Sequence, residues 1–385
     1  MTGADRLGDP GRSALRRLRT TQRIVPQQAR EQNRTLLLQT VFAEGPLSRA
    51  ELARRSGISA VSVSDLAGEL VESGLLVETG TQRHSGAGKP AVLLSVREDA
   101  FRIVALHLSD AVRFIGVVTD LRGTVLHRAS VPIDGRVGEE AIEALLGLAQ
   151  QLVDAAEGPV LGIGIGTPGI VVDRRIVRRA DVRRWFDLDL AARVTERLGL
   201  PAYIENDGNA AALGMYTHDP EGRASLLGIL LTYGVGAGLI VGGALVEGDR
   251  FAAGEIGHLS VQPDGPLCDC GRRGCLQRLV DTARVRERLA AVPEQERDGV
   301  LAEAGAVLGT AIAPMLAVTG VGSVFVSGPD DVVTGTFLGA CRDAVRARVQ
   351  PSGEDELVVE AVHDIEDLVL VGVSALVLEA RLGLA

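Results

Sequence analysis

Three spacings of apolar residues divide this chain. From about Gln32, the positions Leu36, Leu37, Thr40 and Val41 lie on one helical face that stops at Gly45-Pro46. Ser48-Arg49-Ala50-Glu51 has the spacing of a capping box and predicts a second helix over Arg49 to Ser56. Gly57 supplies the turn, Ser59 caps a third helix and Gly74 closes it. Within that helix Val63, Leu66, Ala67 and Leu70 fall at i, i+3, i+4 and i+7, one buried stripe. Leu75 to Val77 and Ala91 to Leu94 then read as two strands around a polar loop, Thr79 to Pro90. Three helices and a ribbon predict a winged helix-turn-helix over residues 31–97. Residues 1–30 show little periodicity and read as a disordered basic arm.

Beyond residue 98 the apolar runs shorten to strand length. Ile103 to Leu106, Val112 to Val118 and Val125 onward predict a hairpin and a third strand. The plan repeats as Leu227 to Leu231, Gly238 to Val241 and Ala244 to Val246. Repetition implies two related α/β lobes, about 98–215 and 216–364, with a cleft between them. The end of the chain, about 365–385, reads as helical and is expected to return to the first lobe. Val160 to Gly169 and Ala202 to Glu205 are apolar strands with glycine-rich or polar tips, where α/β proteins place ligands. Leu226 to Val246 carries no charge and is long enough to cross a bilayer, but Gly234, Gly236, Gly238, Gly242 and Gly243 divide it into strands. The arginine-rich N-terminus has no apolar leader core, so a soluble, cytoplasmic protein with no membrane partner is expected.

Charge sharpens this division. The 385 residues carry a net charge of −10, which excludes a polycationic nucleic-acid coat. Residues 1–96 nevertheless hold thirteen basic and nine acidic side chains, net +4, leaving −14 for the rest. A basic end on an acidic body is the asymmetry expected where one end meets phosphate. In a winged helix the third helix enters the major groove, so Ser59, Ala60, Val61, Ser62 and Ser64 are the candidate base-reading residues. Arg54, Arg55, Arg83, His84 and Lys89 are the candidate phosphate or minor-groove contacts, with Arg12, Arg16, Arg17, Arg19 and Arg23 of the arm behind them. Three-helix modules also serve as protein-interaction domains, and the same residues would then meet no DNA.

Three of the four cysteines, Cys268, Cys270 and Cys275, crowd into eight positions, and His258 stands ten residues before the first. Cys3His is a standard closed set for structural zinc. Gly271 and Gly274 let so short a loop curl around an ion, because glycine tolerates positive φ. The alternative is three buried thiols and a core histidine, an arrangement that scatters cysteines along a sequence.

With the winged helix in place, five further stretches carry a resemblance. They are Gly166-Thr-Pro-Gly169, Glu205-Asn-Asp-Gly-Asn-Ala-Ala-Ala-Leu-Gly214, Gly234-Val-Gly-Ala-Gly238, Glu255-Ile-Gly-His258 and the Cys268–Cys275 loop. Over about residues 31–385 the chain resembles the regulator branch of the ROK family (repressors, open reading frames and sugar kinases), whose fold is the two-lobed actin-like ATPase, ribonuclease H-like. The resemblance implies zinc at His258, Cys268, Cys270 and Cys275, and a sugar held by Asn206, Asp207, Glu255, His258 and position 277. Carboxylates suit sugar hydroxyls, since charge-assisted hydrogen bonds are the stronger ones. This sequence departs from the family at Gln277, where a Glu is usual, and at Asp181 ahead of Trp185, where an Asn is usual.

The kinase half of the resemblance is degraded. Family kinases carry an Asp and then a Gly-Gly turn in the first hairpin. Here His107 replaces the carboxylate, and Ser109-Asp110-Ala111 replaces the glycines. A carboxylate such as Asp110 at ~4 Å from a nucleotide phosphate costs about 4 kcal/mol at an effective dielectric near 20. Ser327-Gly328-Pro329 stands where the adenosine pocket has a glycine run. Asp207 falls at the family's general-base position, which without a phosphoryl donor is a hydrogen-bond partner only. The sequence therefore predicts a non-enzyme that does not use ATP. The expected function is a sugar-responsive repressor acting as a homodimer (or tetramer) on a double-stranded operator. An ATP-dependent sugar kinase and a regulator with a vestigial pocket are the rival expectations.

Overall fold

A computed structural model of the chain describes residues 26–82, 90–109, 112–232, 234–350, 357–363 and 365–384. The arm arginines, Arg83, His84, Lys89, Asp110, Ala111 and Tyr233 lie outside them. Helix α1 (Pro26–Glu44) begins within the stretch expected as an arm. Proline suits a first helical turn, where its missing N–H would have had no partner. Strand β1 (Leu47–Ser48) leads into α2 (Arg49–Ser56), whose capping box is complete. The Ser48 hydroxyl accepts from the Glu51 N–H at 3.3 Å, and Glu51 Oε2 accepts from the Ser48 N–H at 2.9 Å. Ser59 caps α3 (Ala60–Glu72), which buries Val63, Leu66, Ala67 and Leu70, the predicted stripe. Strands β2 (Leu76–Gln82) and β3 (Ala91–Val96) complete a sheet in the order β1-β3-β2. The sequence reading had two strands here, because a two-residue strand is too short to show alternation.

In the first lobe, β4 (Arg102–His107), β5 (Arg113–Thr119) and β6 (Val125–Pro132) run antiparallel, and α4 (Gly138–Ala155) follows. Next come β7 (Val160–Thr167), the small sheet β8 (Ile170–Val172), β9 (Ile176–Ala180) and β10 (Trp185–Asp189), and α5 (Leu190–Leu198). Strand β11 (Ala202–Asn206) then feeds α6 (Asp207–Thr217). The main sheet runs β11-β7-β4-β5-β6, parallel on the β11 side.

The second lobe repeats this design. Strands β12 (Leu226–Leu231), β13 (Val235–Val241) and β14 (Ala244–Leu245) are antiparallel. After the cysteine loop come α7 (Gln277–Val280), α8 (Thr282–Ala290), α9 (Arg297–Thr319), β15 (Ser323–Ser327), α10 (Gly335–Arg346) and β16 (Val358–Ala361). The sheet order is β14-β13-β12-β15-β16, strand for strand the same plan as β6-β5-β4-β7-β11 in the first. Helix α9 is long and apolar enough to cross a bilayer, yet 56% of its apolar window is buried inside the protein. It is the core helix of this lobe, packed so closely on α10 that a Cβ on Gly305 would lie 2.0 Å from the Phe337 carbonyl oxygen.

The last helix, α11 (Ile365–Leu382), returns to the first lobe. Strand β7 alternates Ile163, Gly164, Ile165 and Gly166, so the isoleucines enter the core under α4 while the glycines face α11. A Cβ on Gly164 would lie 2.4 Å from the Val373 carbonyl oxygen, and one on Gly166 2.4 Å from Val369 Cγ1. Beyond it the chain end docks on the winged helix: Leu384 is buried, and Gln39 Nε2 donates to the Gly383 carbonyl at 2.5 Å. Leu37, Val41, Leu70 and Leu76 share one hydrophobic cluster with Ile103, Leu121, Leu161, Val377 and Leu384. The winged helix and the first lobe are thus packed as one body.

Candidate functional site

The C-terminal ends of β4, β7 and β11 stand side by side, His107 opposite Gly166 and Thr167 opposite Asn206. Here Asn206 is the N-cap of α6, its Oδ1 accepting from the N–H groups of Gly208 at 2.9 Å and Asn209 at 3.1 Å. Its Nδ2 donates to the Gly169 carbonyl at 2.9 Å, which ties the tip of β7 to the start of α6. Gly169 needs to be glycine, with φ of 93° and the Arg179 carbonyl oxygen 2.0 Å from where a Cβ would stand. Asp207 is therefore free of the capping role and occupies the first helical turn. Its carboxyl is pushed up by burial, offset in part by the Ser109 hydroxyl and the Gly208 N–H. Glu255 belongs to the second lobe, and burial followed by repulsion from Asp207 raises it too. Two buried carboxyls from different halves of the chain are thus close enough to repel.

The glycine run Gly234 to Gly238 lies mostly inside a strand. Thr232 N–H donates to the Gly234 carbonyl at 3.0 Å. Gly236 and Gly238 lie inside β13, three residues earlier than the expected strand start. A Cβ on Gly238 would lie 2.5 Å from Ala212 Cβ and 2.9 Å from Asn209 Cα. Bare backbone lets the second lobe's sheet rest on the first turns of α6.

Beside Glu255, the ligand atoms of His258, Cys268, Cys270 and Cys275 all lie within 4.8 Å of one another. Cys270 Sγ and Cys275 Sγ are 3.5 Å apart, and Cys268 Sγ is 3.8 Å from His258 Nδ1. A tetrahedron with metal–sulfur bonds of ~2.3 Å has edges of about 3.8 Å, so the four atoms fit one ion. Burial holds the His258 imidazole below its ordinary value, in the neutral form that ligation requires. Gly271 and Gly274 have φ of 84° and 62°, and a Cβ on Gly274 would collide with the Gln262 carbonyl. Gln277, the first residue of α7, reaches into this cluster: its Nε2 lies 3.4 Å from Cys268 Sγ. Arg179 and Asp181 of the first lobe, paired with each other, act electrostatically on His258, which puts them near this cluster.

His107 is buried at 4% exposure in the place of the expected carboxylate. Arg183, which sequence reasoning passed over, is buried beside it, with Nη2 donating to the Leu108 carbonyl at 2.8 Å and its guanidinium 4.9 Å above the Phe114 ring.

Glu205 was also missed as a functional group. It is 3% exposed, accepts from Asn206 N–H at 2.9 Å and from Asn209 Nδ2 at 3.0 Å, and is pushed by burial up to about 7. Nearby, Arg174 joins the C-terminal helix to the second lobe, with Nη1 2.8 Å from Glu379 Oε2 and Nε 3.6 Å from Glu247 Oε1. Because folding raises the Glu205 carboxyl, the native state keeps a proton that the unfolded chain releases from about pH 4.5 upward. Its contribution to stability is full below that range and is lost as pH rises through about 7. Glu205→Gln preserves the accepting oxygen and removes the ionisation. In urea titrations it should match the parent near pH 5 and exceed it near pH 8 by up to about 3 kcal/mol. Equal stability at both would show that Arg174 keeps Glu205 ionised throughout.

The candidate DNA-reading residues lie on the other face of the shared core. Ser59, Ala60, Val61 and Ser64 are exposed at the start of α3, Val61 at 73%. Ser62 is half-buried, its Oγ 2.9 Å from that of Ser59, so capping occupies both hydroxyls. Arg54 is exposed, and Arg55 is paired with Glu44 of α1.

The ROK family profile matches residues 111–302. A putative xylose repressor of Caldicellulosiruptor sp. is 34% identical over 64% of this chain and 63% of its own length. The xylose repressor of Caldicellulosiruptor bescii is 31% identical over 70% of this chain and 67% of its own. The chain thus aligns with about two thirds of the length of these relatives. Among solved structures, a ROK family transcriptional regulator described as a homologue of the E. coli MLC protein superposes with a TM-score of 0.80, at 22% identity, over 92% of this chain and 96% of its own. The duplicated sheets, the Asn206-Asp207 helix start and these likenesses together make this chain a member of the ROK family.

Proposed function

We propose that this protein is a sequence-specific DNA-binding repressor whose interlobe cleft binds a sugar or sugar derivative as effector. Asn206, Asp207, Glu255, His258 and Gln277 form the effector site. His258, Cys268, Cys270 and Cys275 hold a structural zinc ion that keeps the second lobe's wall of that site rigid. The protein acts in the cytoplasm as a homodimer or a tetramer, with Ser59, Ala60, Val61, Ser62 and Ser64 reading bases. Arg54, Arg55, Arg83, His84 and Lys89 meet the DNA backbone or minor groove.

One observation carries this reading: the winged helix and the first lobe share a single hydrophobic core. Lobe closure on a ligand therefore moves the DNA-reading helices as a body, and in a dimer it changes the spacing of two half-site readers. A sugar shifts that equilibrium only by its preference for one lobe arrangement. The names of the xylose-repressor relatives support a sugar as effector. Buried His107 in place of a carboxylate supports binding without phosphoryl transfer.

The test is thermal unfolding with D-xylose, D-glucose and their phosphates in the absence of nucleotide. A bound effector at ~100 times its dissociation constant adds about 2.7 kcal/mol. Glu255→Ala should abolish that shift and, with it, the sugar's effect on operator binding. Sugar-dependent ATP hydrolysis that disappears in Asp207→Asn would overturn the reading in favour of a kinase.

A further inference from the structure

The turn between β8 and β9 holds two successive residues, Asp173 and Arg174, at φ of 53° and 55° although neither is glycine. Side chains resist that conformation, and a fold keeps it where the turn's geometry is used. Here the turn aims Arg174. Its carbonyl accepts from the Ile204 N–H at 2.9 Å, which fastens the turn to the strand ending at Asn206. Its guanidinium meets two acids from distant parts of the fold: Nε is 3.6 Å from Glu247 Oε1, and Nη1 is 2.8 Å from Glu379 Oε2. Each acid leads somewhere different. Glu247 opens a second-lobe loop, its carbonyl accepting from the Ala253 N–H at 3.3 Å, and that loop runs directly into Glu255. Glu379 lies near the end of α11, where its carbonyl accepts from the Gly383 N–H at 2.9 Å. The Gly383 carbonyl in turn accepts from Gln39 Nε2 of α1 at 2.5 Å. An unbroken line of contacts thus runs from Glu247 through Arg174, Glu379 and Gly383 to the winged helix.

We propose that Arg174 transmits the position of the second lobe to the DNA-reading end: one edge of its guanidinium holds Glu247, and the other holds the end of the helix that seats α1. The proposal rests on the effector reading for its regulatory half only. A guanidinium is a rigid planar fork, so it cannot follow Glu247 and keep its geometry to Glu379. An effector that draws on Glu255 moves the loop that Glu247 opens, and Arg174 then changes its hold on α11. The side chains of Arg174 and Glu247 are 29% and 34% exposed. Such a pair adds little to stability, which suits a contact that forms and breaks as the lobes move. The shared core ties the winged helix to the first lobe, and this line of contacts brings the second lobe's position to the same helix.

The experiment is hydrogen–deuterium exchange of the zinc-loaded full chain, read at the end of α11 and in α1 around Gln39. Melting midpoints and operator binding are recorded on the same samples, with and without D-xylose or D-glucose. The operator is the duplex that the parent selects from a random-sequence pool. Glu247→Gln alters only a surface loop, and Arg174→Gln removes the fork. Both should speed exchange in α1 and shrink the sugar's effect on operator affinity by about 2- to 30-fold, the span of mutational effects on coupling. The double variant should go no further than Arg174→Gln alone, because the two residues act as one link. Arg193→Gln, which breaks a pair with Glu139 inside the first lobe, should change neither readout. Parental exchange in α1 in both variants overturns the inference whatever the sugar does. Effects that multiply in the double variant overturn Arg174 as the link. Faster exchange with a parental sugar response overturns the regulatory half. Midpoints flat to both sugars overturn the effector reading itself, while the exchange rates still decide the link.

Discussion

Replacing Gly372 with alanine should cost the first lobe several kcal/mol and uncouple the cleft from the DNA-reading helices. A Cβ at this position would lie 1.8 Å from the Ala210 carbonyl oxygen, and one on Gly214 of the facing helix 2.1 Å from that of Leu368. Two glycines, one on α11 and one on α6, therefore let the backbones touch. The obstacle is main chain, which cannot swing aside as a side-chain tip can, so the helices must separate. Overpacking a tight core typically costs about 1–3 kcal/mol, and a backbone collision belongs at or above the upper end. The functional consequence follows from what each helix carries. Helix α6 begins at Asp207 with its Asn206 cap, and α11 leads to Gly383 and Leu384, which lock against α1. Denaturant unfolding should show the lost stability. Operator binding by the surviving fold should respond less to sugar than in the parent. A variant with parental stability and parental sugar response would show that the two helices are not held at this distance.

That contact could not be read from the sequence, and the reason is instructive. The glycines of β7 and α11 serve close approach between elements far apart in the chain, and no local pattern records which surface a missing side chain will meet. For the same reason nothing in the Gly234–Gly238 run tells that Gly236 and Gly238 lie in β13 against α6. Glu205 and Arg183 share this difficulty, since a charged residue declares nothing about burial until the strands around it are placed. What the sequence did reveal was local or periodic. The α3 stripe and the capping box depend on spacings within one turn or two, and the structure reproduces both. The His258–Cys275 set was legible because its ligand-type side chains are compressed into adjacent letters, and the structure brings those four side chains together. The Asn206-Asp207 pair was visible as a strand tip, but its division of labour was not. Only the geometry shows Asn206 capping the helix and leaving Asp207 to the cleft.

Removing zinc should unfold the second lobe's half of the cleft before anything else. The loop from Leu259 to Leu276 has little of its own to hold it: two isolated bridges, Ser260 with Cys275 and Leu267 with Arg273, and a few turn hydrogen bonds. Cys275 and Leu276 are nevertheless fully buried, and Leu276 belongs to the second lobe's core with Ile256 and Val280. Releasing the loop therefore opens that core at one end. Three thiols crowded without a cation to share also repel as they ionise, so the apo loop loses more than its cross-link. With free zinc at about a thousand times its dissociation constant, the metal contributes about 4 kcal/mol to the native state. Cys270→Ser, or chelation of the parent, should remove most of that and lower the midpoint of the second lobe. The core around β7 and α4 shares none of these residues and should retain its own. Effector binding should fail in the same preparations, because Glu255 and His258 stand on the segment that leads into the loop. DNA binding without effector should survive, since the winged helix is anchored to the first lobe. A Cys270→Ser protein that melts as the parent does, and still answers to sugar after chelation, would remove the metal from both the fold and its regulation.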